Sequence, residues 1–290
     1  MKTTGNVMLL ESYKILFRKG NILALVAPLV VYLMIFYAYP MLQMISRSFQ
    51  DPNLTLIHYF DFFRMPACYY AMFNTFKIAL FTTIFCFILG YPIAYLLTTV
   101  SQRSAQILTV LIIVPFWISI LVRIYAWMVL LGRNGIVNQL LMKLSVIETP
   151  IAMMHNRFGV YVGMINILLP YMIFPLFSVM KGIDKTLVNA ALIMGAPPWK
   201  AFLKVFFPLS LPGVAAGGLL VFIIALGFFI TPALLGGAKD TTIALLIQIQ
   251  VDELLNWGLA AAMATMLLIC TSIVLVIYNR YLGIDKMVGS

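Results

Sequence analysis

The chain has 290 residues, of which 63% are hydrophobic and only 10% charged, against roughly half and a quarter in a soluble globular domain. A soluble single-core protein is excluded, because so much apolar surface has no interior to fill, and the solvent of this chain is largely lipid. The net charge of +10 is scattered through short connecting segments and forms no basic stripe. This is the pattern of loops on the cytoplasmic face of a membrane, not of a nucleic-acid surface.

Residues 1–21 end in the amphipathic, basic ESYKILFRKG, which reads as a segment lying on the cytoplasmic surface. The apolar run from Ile22 to Met44 is too long for a signal core and lacks a small-residue cleavage site, so it reads as a retained anchor. Five further runs follow, giving six spans at about 22–45, 73–99, 105–131, 158–180, 210–235 and 259–282. About 20 apolar residues suffice to cross the hydrocarbon. These runs are continuously apolar, without the alternation of barrel strands, so they are helices. Residues 283–290 form a short cytoplasmic tail. Seven of the 14 prolines (Pro28, Pro40, Pro92, Pro115, Pro170, Pro175 and Pro232) fall inside spans beyond their first turn, where they kink helices or are simply tolerated. Gly159-x-x-x-Gly163 and Gly213-x-x-x-Gly217 permit close helix approach. Cys68, Cys86 and Cys270 have no metal-binding or redox spacing, and no structural disulfide is expected.

Orientation follows from lysine and arginine. Eleven fall on the side of both termini and six on the other, which places the termini in the cytoplasm. Lys77 and Arg123 lie inside spans two and three, toward their outer ends in this topology. Each either snorkels to the outer interface or lines a polar path.

The segment from Asn189 to Gly213, NAALIMGAPPWKAFLKVFFPLSLPG, interrupts the apolar pattern on the cytoplasmic side. Lys185 to Met194 is a helix that Gly195 can end. Pro197 and Pro198 suit a turn and the first position of a second helix. From Trp199 the apolar spacing is helical, with Trp199, Phe202 and Phe206 on one face and Lys200 and Lys204 on another. The expected product is a short helix–turn–helix held between two spans, either docking on a partner or resting on lipid headgroups.

Ala190-Ala191-x-x-x-Gly195, followed after nine residues by Val205-x-Phe207-Pro208, resembles the EAA loop of ABC importer permeases. In that family the loop is the coupling helix that sits in a groove of the ATPase subunit. Asn189 stands where the motif has a glutamate, which keeps hydrogen-bonding capacity and loses the charge. Three further stretches resemble the spermidine/putrescine-type permeases: VPFWISILVRIYAWMVLLGRNGIVNQLL (Val114–Leu141), ILLPYMIFPLFSVMKGID (Ile167–Asp184) and ITPALLGGAKD (Ile230–Asp240).

The resemblance implies an all-α integral membrane fold of about six transmembrane helices, the type I importer permease, with residues 22–282 as the permease domain and a cytoplasmic coupling loop at about 185–209. It implies a bacterial cytoplasmic (inner) membrane location, a second permease subunit, two ATPase subunits and an external, periplasmic solute-binding protein. No GxxxxGK[ST] loop occurs in the sequence, so ATP and Mg are expected on the ATPase subunits and no cofactor or catalysis on this chain. Asn189, Ala190, Ala191, Gly195, Trp199, Lys200, Phe202 and Pro208 are the expected coupling residues.

The expected cargo is a small charged solute of polyamine type, or otherwise an amino-acid derivative, an opine or an aminophosphonate. No Asp or Glu lies in a predicted span, and some relatives carry an acid near the position of Phe228 that this chain lacks. The candidate path residues are therefore aromatic: Trp117, Tyr125, Trp127, Tyr171, Phe228 and Phe229, whose faces attract cations. Arg123 would favour an anion if it faced the path. Asp252 and Glu253 either meet the binding protein or are solvated. Two rivals fit less well. An ion-coupled carrier or channel places ionisable groups at mid-membrane, where this chain has few. A membrane enzyme would have only His58 and His155, both expected as solvated loop residues outside any HExxH pattern.

Overall fold

A computed structural model of the chain describes residues 19–51 and 53–282. Most of the expected N-terminal surface segment and the whole tail 283–290 lie outside the described residues. Among the described residues, six helical stretches are long and apolar enough to cross a bilayer: Val26–Arg47, Pro66–Thr99, Ile120–Lys143, Arg157–Gly182, Pro198–Leu226 and Trp257–Arg280. The number matches the sequence reading, and several ends move for reasons visible in the backbone.

The first span is α1 (Lys19–Leu33), a π-helical turn (Met34–Ala38) and α2 (Tyr39–Arg47) in one continuous run. None of its apolar window is buried within the chain. It touches the rest of the protein at its end, where the Arg47 guanidinium lies over the Trp257 ring at 5.7 Å. A two-residue pairing of β1 (Gln50–Asp51) with β2 (Asn53–Leu54) follows, and then α3 (Ile57–Arg64).

The core is built by α4 (Pro66–Thr99), α8 (Arg157–Gly182) and α11 (Phe207–Leu226). Ile78 and Cys86 of α4, Met164, Leu168 and Met172 of α8 and Val221 of α11 are fully enclosed among them. Small residues set the spacing. A side chain built at Gly217 would stand 3.0 Å from the Met172 carbonyl oxygen, and one at Gly213 3.1 Å from the Leu176 Cα. Gly159 and Gly163 instead seat α12 (Ile230–Leu235), against Leu235 and Thr231. At its 34 residues α4 is about 50 Å long. It exceeds the roughly 30 Å hydrocarbon layer and projects beyond it.

The third run is not one helix. It divides into α5 (Gln102–Ile113), a 3₁₀ turn (Val114–Trp117) and α6 (Ile120–Leu131), with Ile118 extended between them. Pro115 removes an N–H that a continuous helix would need, and the chain leaves the helical path just beyond it. After a turn, α7 (Ile136–Lys143) follows.

The fifth run also differs from the expected 210–235. Its helix begins at Pro198 and stops at Leu226. In a continuous helix Pro232 would lack the N–H that reaches Phe228, and its ring would clash with that carbonyl. Here the chain breaks over residues 227–229, and the Phe228 carbonyl accepts the Thr242 hydroxyl at 3.5 Å. At the start, Pro208 is accommodated by a π turn (Phe202–Phe206) in which the Phe207 N–H reaches back to the Phe202 carbonyl. Pro40 is accommodated in the same way: the Tyr39 N–H reaches Met34. The wider turn rearranges the backbone bonds next to a residue that has no N–H to donate.

A second cluster joins α3, the start of α4, α13 (Ile243–Asp252) and α14 (Trp257–Leu282), through Phe62, Cys68, Ala71, Ile243, Leu259 and Met263. His58 belongs to this region and is not the solvated residue expected from the sequence. It is buried on α3, its ring lies against Gly258, and its Nε2 is 3.2 Å from the Gln50 carbonyl oxygen.

Candidate functional site

The segment singled out in the sequence forms a compact projection at one end of the bundle. Asp184 caps α9 (Lys185–Ile193) by accepting the Thr186 N–H at 2.8 Å. The helix closes in a Schellman arrangement: the Ala196 N–H donates to the Ala191 carbonyl and the Gly195 N–H to the Leu192 carbonyl, both at 3.0 Å. This closure needs a left-handed residue, and Gly195 supplies it with φ +86°. Pro197 caps α10 (Pro198–Ala201), with Pro198 in its first turn. The expected separate second helix is instead the first turn of the fifth span, since α10 runs through the π turn into α11 without a break in helicity. The projection and the fifth span therefore share one continuous helical rod from Pro198 to Leu226.

An aromatic cluster fastens the projection to α4. Phe202 meets Tyr91 and Tyr95 edge-on, with centroids 6.1 and 5.5 Å apart, and stacks on Phe206 at 5.7 Å. Tyr95 also meets Phe206 edge-on at 5.2 Å. Edge-to-face pairs of this kind add about 0.5–1.5 kcal/mol each beyond area burial. The Tyr91 hydroxyl is hydrogen-bonded to the Ser210 hydroxyl at 2.9 Å, and Ser210 also donates to the Phe207 carbonyl. Lys185 reaches the Thr98 carbonyl at 3.4 Å.

The two faces of the projection are thus distinct. Phe202 and, more completely, Ala191 and Phe206 face inward. Asn189, Ala190, Gly195, Lys200 and Pro208 are exposed. The outward apolar tip consists of Ile193 at 87% exposure, Met194 at 82% and Trp199 at 60%, with the Lys200 ammonium over the Trp199 ring at 5.3 Å. Ile193 and Met194 carry the tip, yet neither belongs to the motif that drew attention to the segment. The sign that would have found them is position: they are the last apolar residues before the left-handed glycine.

The Thr186 backbone N–H holds the Asp184 carboxylate below its ordinary value. A depressed carboxylate contributes stability that is complete above the unfolded value and is lost as pH falls through the folded one. The cap is therefore intact at neutral pH and releases only below about pH 4. Asp184→Ala is expected to lower amide protection, relative to the intrinsic exchange rate, in the first turn of α9 at pH 7, whereas the parent loses that protection only on acidification. Hydrogen exchange read by mass spectrometry checks both.

The candidate path residues are dispersed. Trp117 and Tyr125 lie on open surface, at 88% and 54% exposure. Trp127, Tyr171 and Phe228 pack against the main core, Phe229 sits at the break before α12, and Phe116 pairs with Tyr171 at 5.3 Å. Arg123 is half-buried on α6 in the electrostatic field of Tyr171. Its Nε is enclosed and has no hydrogen-bond partner among the described residues. It sits eight positions before Leu131, the end of α6, about 12 Å along the axis. It is also the fourth residue of α6, in the first turn after the break at Val114–Ser119. Lys77 lines a groove of about 400 Å³ with Phe73, Phe76, Leu80, Phe81 and Phe222.

The opposite end of the bundle carries a polar junction that the sequence reading did not pick out. Arg157 Nε donates to Asp240 Oδ1 at 2.9 Å, and its Nη2 donates to Asn74 Oδ1 at 3.1 Å. Asn74 Nδ2 donates in turn to the Lys239 carbonyl at 2.7 Å, and Asp240 Oδ2 accepts the Gly237 N–H. Three elements remote in sequence, α4, α8 and the loop after α12, are tied at one point.

Residues 13–283 match the family described as binding-protein-dependent transport system inner membrane component. The spermidine/putrescine transport system permease protein PotB of Salmonella typhimurium (strain LT2) is 37% identical over 215 residues, covering 74% of this chain and 75% of that protein. Its counterpart of the same name from Escherichia coli (strain K12) is 34% identical over 264 residues, covering 88% and 96%. Among solved structures, a bacterial ABC transporter involved in the import of the acidic polysaccharide alginate superposes with a TM-score of 0.79 at 18% identity, over 93% of this chain and 97% of that one, a likeness of fold. A family match across nearly the whole length, a near full-length relative and a shared helical fold agree: this chain belongs to the inner-membrane components of binding-protein-dependent transport systems.

Proposed function

We propose that this chain is the membrane-embedded permease subunit of an ATP-driven importer whose cargo is of polyamine type. The observation that carries the reading is the alignment over 96% of a spermidine/putrescine permease, which includes the projecting segment. The chain spans the membrane as one half of a permease pair. ATP and Mg bind to two separate ATPase subunits, and an external binding protein delivers the solute. The projection then faces the cytoplasm, with both termini on the same side, in agreement with the lysine and arginine bias.

In this reading the Ile193–Met194–Trp199 tip enters a groove of an ATPase subunit. Large apolar side chains at the end of a projection gain about 25 cal/mol per Å² when a partner removes them from water. Closure of the ATPase pair moves the tip, and the unbroken path from Pro198 to Leu226 carries that movement through the bilayer. The breaks at Val114–Ser119 and over residues 227–229 give the far ends of the third and fifth runs freedom to rearrange around the solute. Aromatic faces along that path suit an ammonium group.

The test is reconstitution of both permeases, the ATPase and the binding protein in liposomes, with labelled spermidine and putrescine outside and ATP inside. Accumulation that needs both ATP and the binding protein is expected. ATP-independent accumulation by the permease alone would establish a carrier instead. A binding protein that ignores polyamines and takes up an amino-acid derivative or a phosphonate would overturn the cargo assignment while leaving the importer reading intact.

A further inference from the structure

We infer that a cleft at the cytoplasmic ends of α4 and α8 binds the phosphate headgroup of an anionic membrane phospholipid. The inference rests on the orientation proposed above, which places this end of the bundle at the cytoplasmic face. The last residues of α4, the first turn of α5 and the end of α8 enclose about 360 Å³. Leu97, Val100, Phe177 and Met180 form an apolar wall, and Lys181 and Lys185 add two ammonium groups. No Asp or Glu among the described residues lines the cleft. Asp184, between the two lysines in sequence, is engaged as the cap of α9.

Neither lysine is neutralised by the described residues. The Lys181 ammonium lies over the Phe177 ring at 5.8 Å, and Lys185 donates to the Thr98 carbonyl at 3.4 Å, but neither joins an ion pair among those residues. The start of α5 adds to the positive field. Ser101 caps the Ser104 N–H at 3.3 Å, while the Gln102 and Arg103 amides of the first turn have no intrahelical acceptor, and Gln102 lines the cleft. An anion here meets two ammonium groups and the positive end of a helix of 12 residues.

Depth separates a lipid from other anions. With its 26 residues, α8 is about 39 Å long, so its ends fall in the polar layers of a bilayer about 40–45 Å thick. Lys181 lies in its last turn. A headgroup phosphate stands at this level, with its glycerol and chains along the apolar wall. Basic pockets between spans on the cytoplasmic side suit anionic headgroups for this reason. A free phosphate gains nothing from Leu97 or Phe177. An acidic segment of the ATPase would meet the tip of α9, about 12 Å along the helix from Lys185. Because Lys185 is the first residue of α9, the bound lipid ties the base of the projection to the membrane.

The test places the complete transporter in nanodiscs of phosphatidylcholine with a minor share of phosphatidylglycerol. The phosphatidylglycerol carries a photoreactive group near the headgroup end of one chain. Cross-links are mapped by mass spectrometry and are expected within residues 97–105 and 177–185. Lys181→Gln with Lys185→Gln is expected to lower the yield there by about tenfold. Lys204→Gln with Arg280→Gln removes the same charge from exposed positions elsewhere on this face and is expected to leave the yield unchanged. Added inorganic phosphate is not expected to compete. Absence of these cross-links in the parent, or equal loss in both double variants, would overturn the inference. So would competition by inorganic phosphate, which would make the ligand a soluble anion. Carboxyl–amine cross-links from Lys181 or Lys185 to another subunit would make the occupant a protein and overturn it too. Labelling of Ser104→Cys by an impermeant thiol reagent in whole cells reads the orientation separately. Protection supports the cytoplasmic placement, and labelling from outside would remove it even where the lipid is bound.

Discussion

Gly195→Pro lowers solute uptake by the assembled transporter by about tenfold or more while membrane insertion and ATP hydrolysis persist. The space around the residue is open, with no atom within 4 Å of a built side chain, so steric crowding plays no part. The effect comes from the backbone. At φ +86° a residue with a Cβ pays roughly 1–2 kcal/mol. Proline cannot adopt that angle at all, and it also removes the N–H that closes on Leu192. The end of α9 must then leave its Schellman closure. Ile193 and Met194, the two residues immediately before the turn, lose their fixed position relative to Trp199. Each 1.4 kcal/mol of misplacement is a factor of about ten in a coupled step. A graded series separates the contributions: Gly195→Asn, which tolerates the left-handed region, stays close to the parent, Gly195→Ala falls between, and Gly195→Pro is worst. The ratio of solute moved to ATP hydrolysed in liposomes is the readout. Equal ratios across the series would remove the loop geometry from the coupling mechanism.

How far the sequence alone reaches is clearest at this loop. The stop at Gly195 and the start at Pro198 were legible because each depends on one residue's own backbone: a left-handed angle and a fixed φ. What the second helix does next was not legible. Hydropathy starts the fifth span at about residue 210, whereas the π turn at Phe202–Phe206 absorbs Pro208 and keeps the rod continuous from Pro198. The same limit applies to the third run, where hydropathy is unbroken while Pro115 sends the chain out of the helix. Hydropathy reports solvent, and it is silent on backbone continuity. Partner choice was less legible still. Phe202 has the spacing of an outward anchor, yet Tyr91 and Tyr95, more than a hundred residues earlier, draw it inward. The Asn74–Arg157–Asp240 junction was invisible for the same reason, since no local pattern marks residues that meet only after three elements have packed.

The glycine pair on α11 carries the largest expected effect on the fold itself. Gly217→Val is expected to destabilise the helix bundle by roughly 1–3 kcal/mol or more, the range of overpacking in a dense core. A Cβ at this position meets the Met172 carbonyl oxygen and Sδ at 3.0 Å and the Met172 Cα at 3.3 Å. The sulfur can swing away, because methionine is unbranched and adaptable, but the carbonyl and Cα are backbone and can move only with α8. Met172→Ala should therefore rescue Gly217→Val only in small part. Gly163 provides the contrast. Its built side chain meets the ends of Leu235 and Thr231, both at 2.7 Å and both side-chain atoms, so Leu235→Ala with Thr231→Ser, taken as the background for comparison, should remove much of the effect of Gly163→Ala. Thermal unfolding in detergent, followed by the appearance of buried Cys86 to a thiol reagent, measures both series. If the two rescues were equal, side-chain volume alone would set the spacing of α8 and α11. If they differ as expected, direct backbone contact between α8 and α11 fixes that spacing.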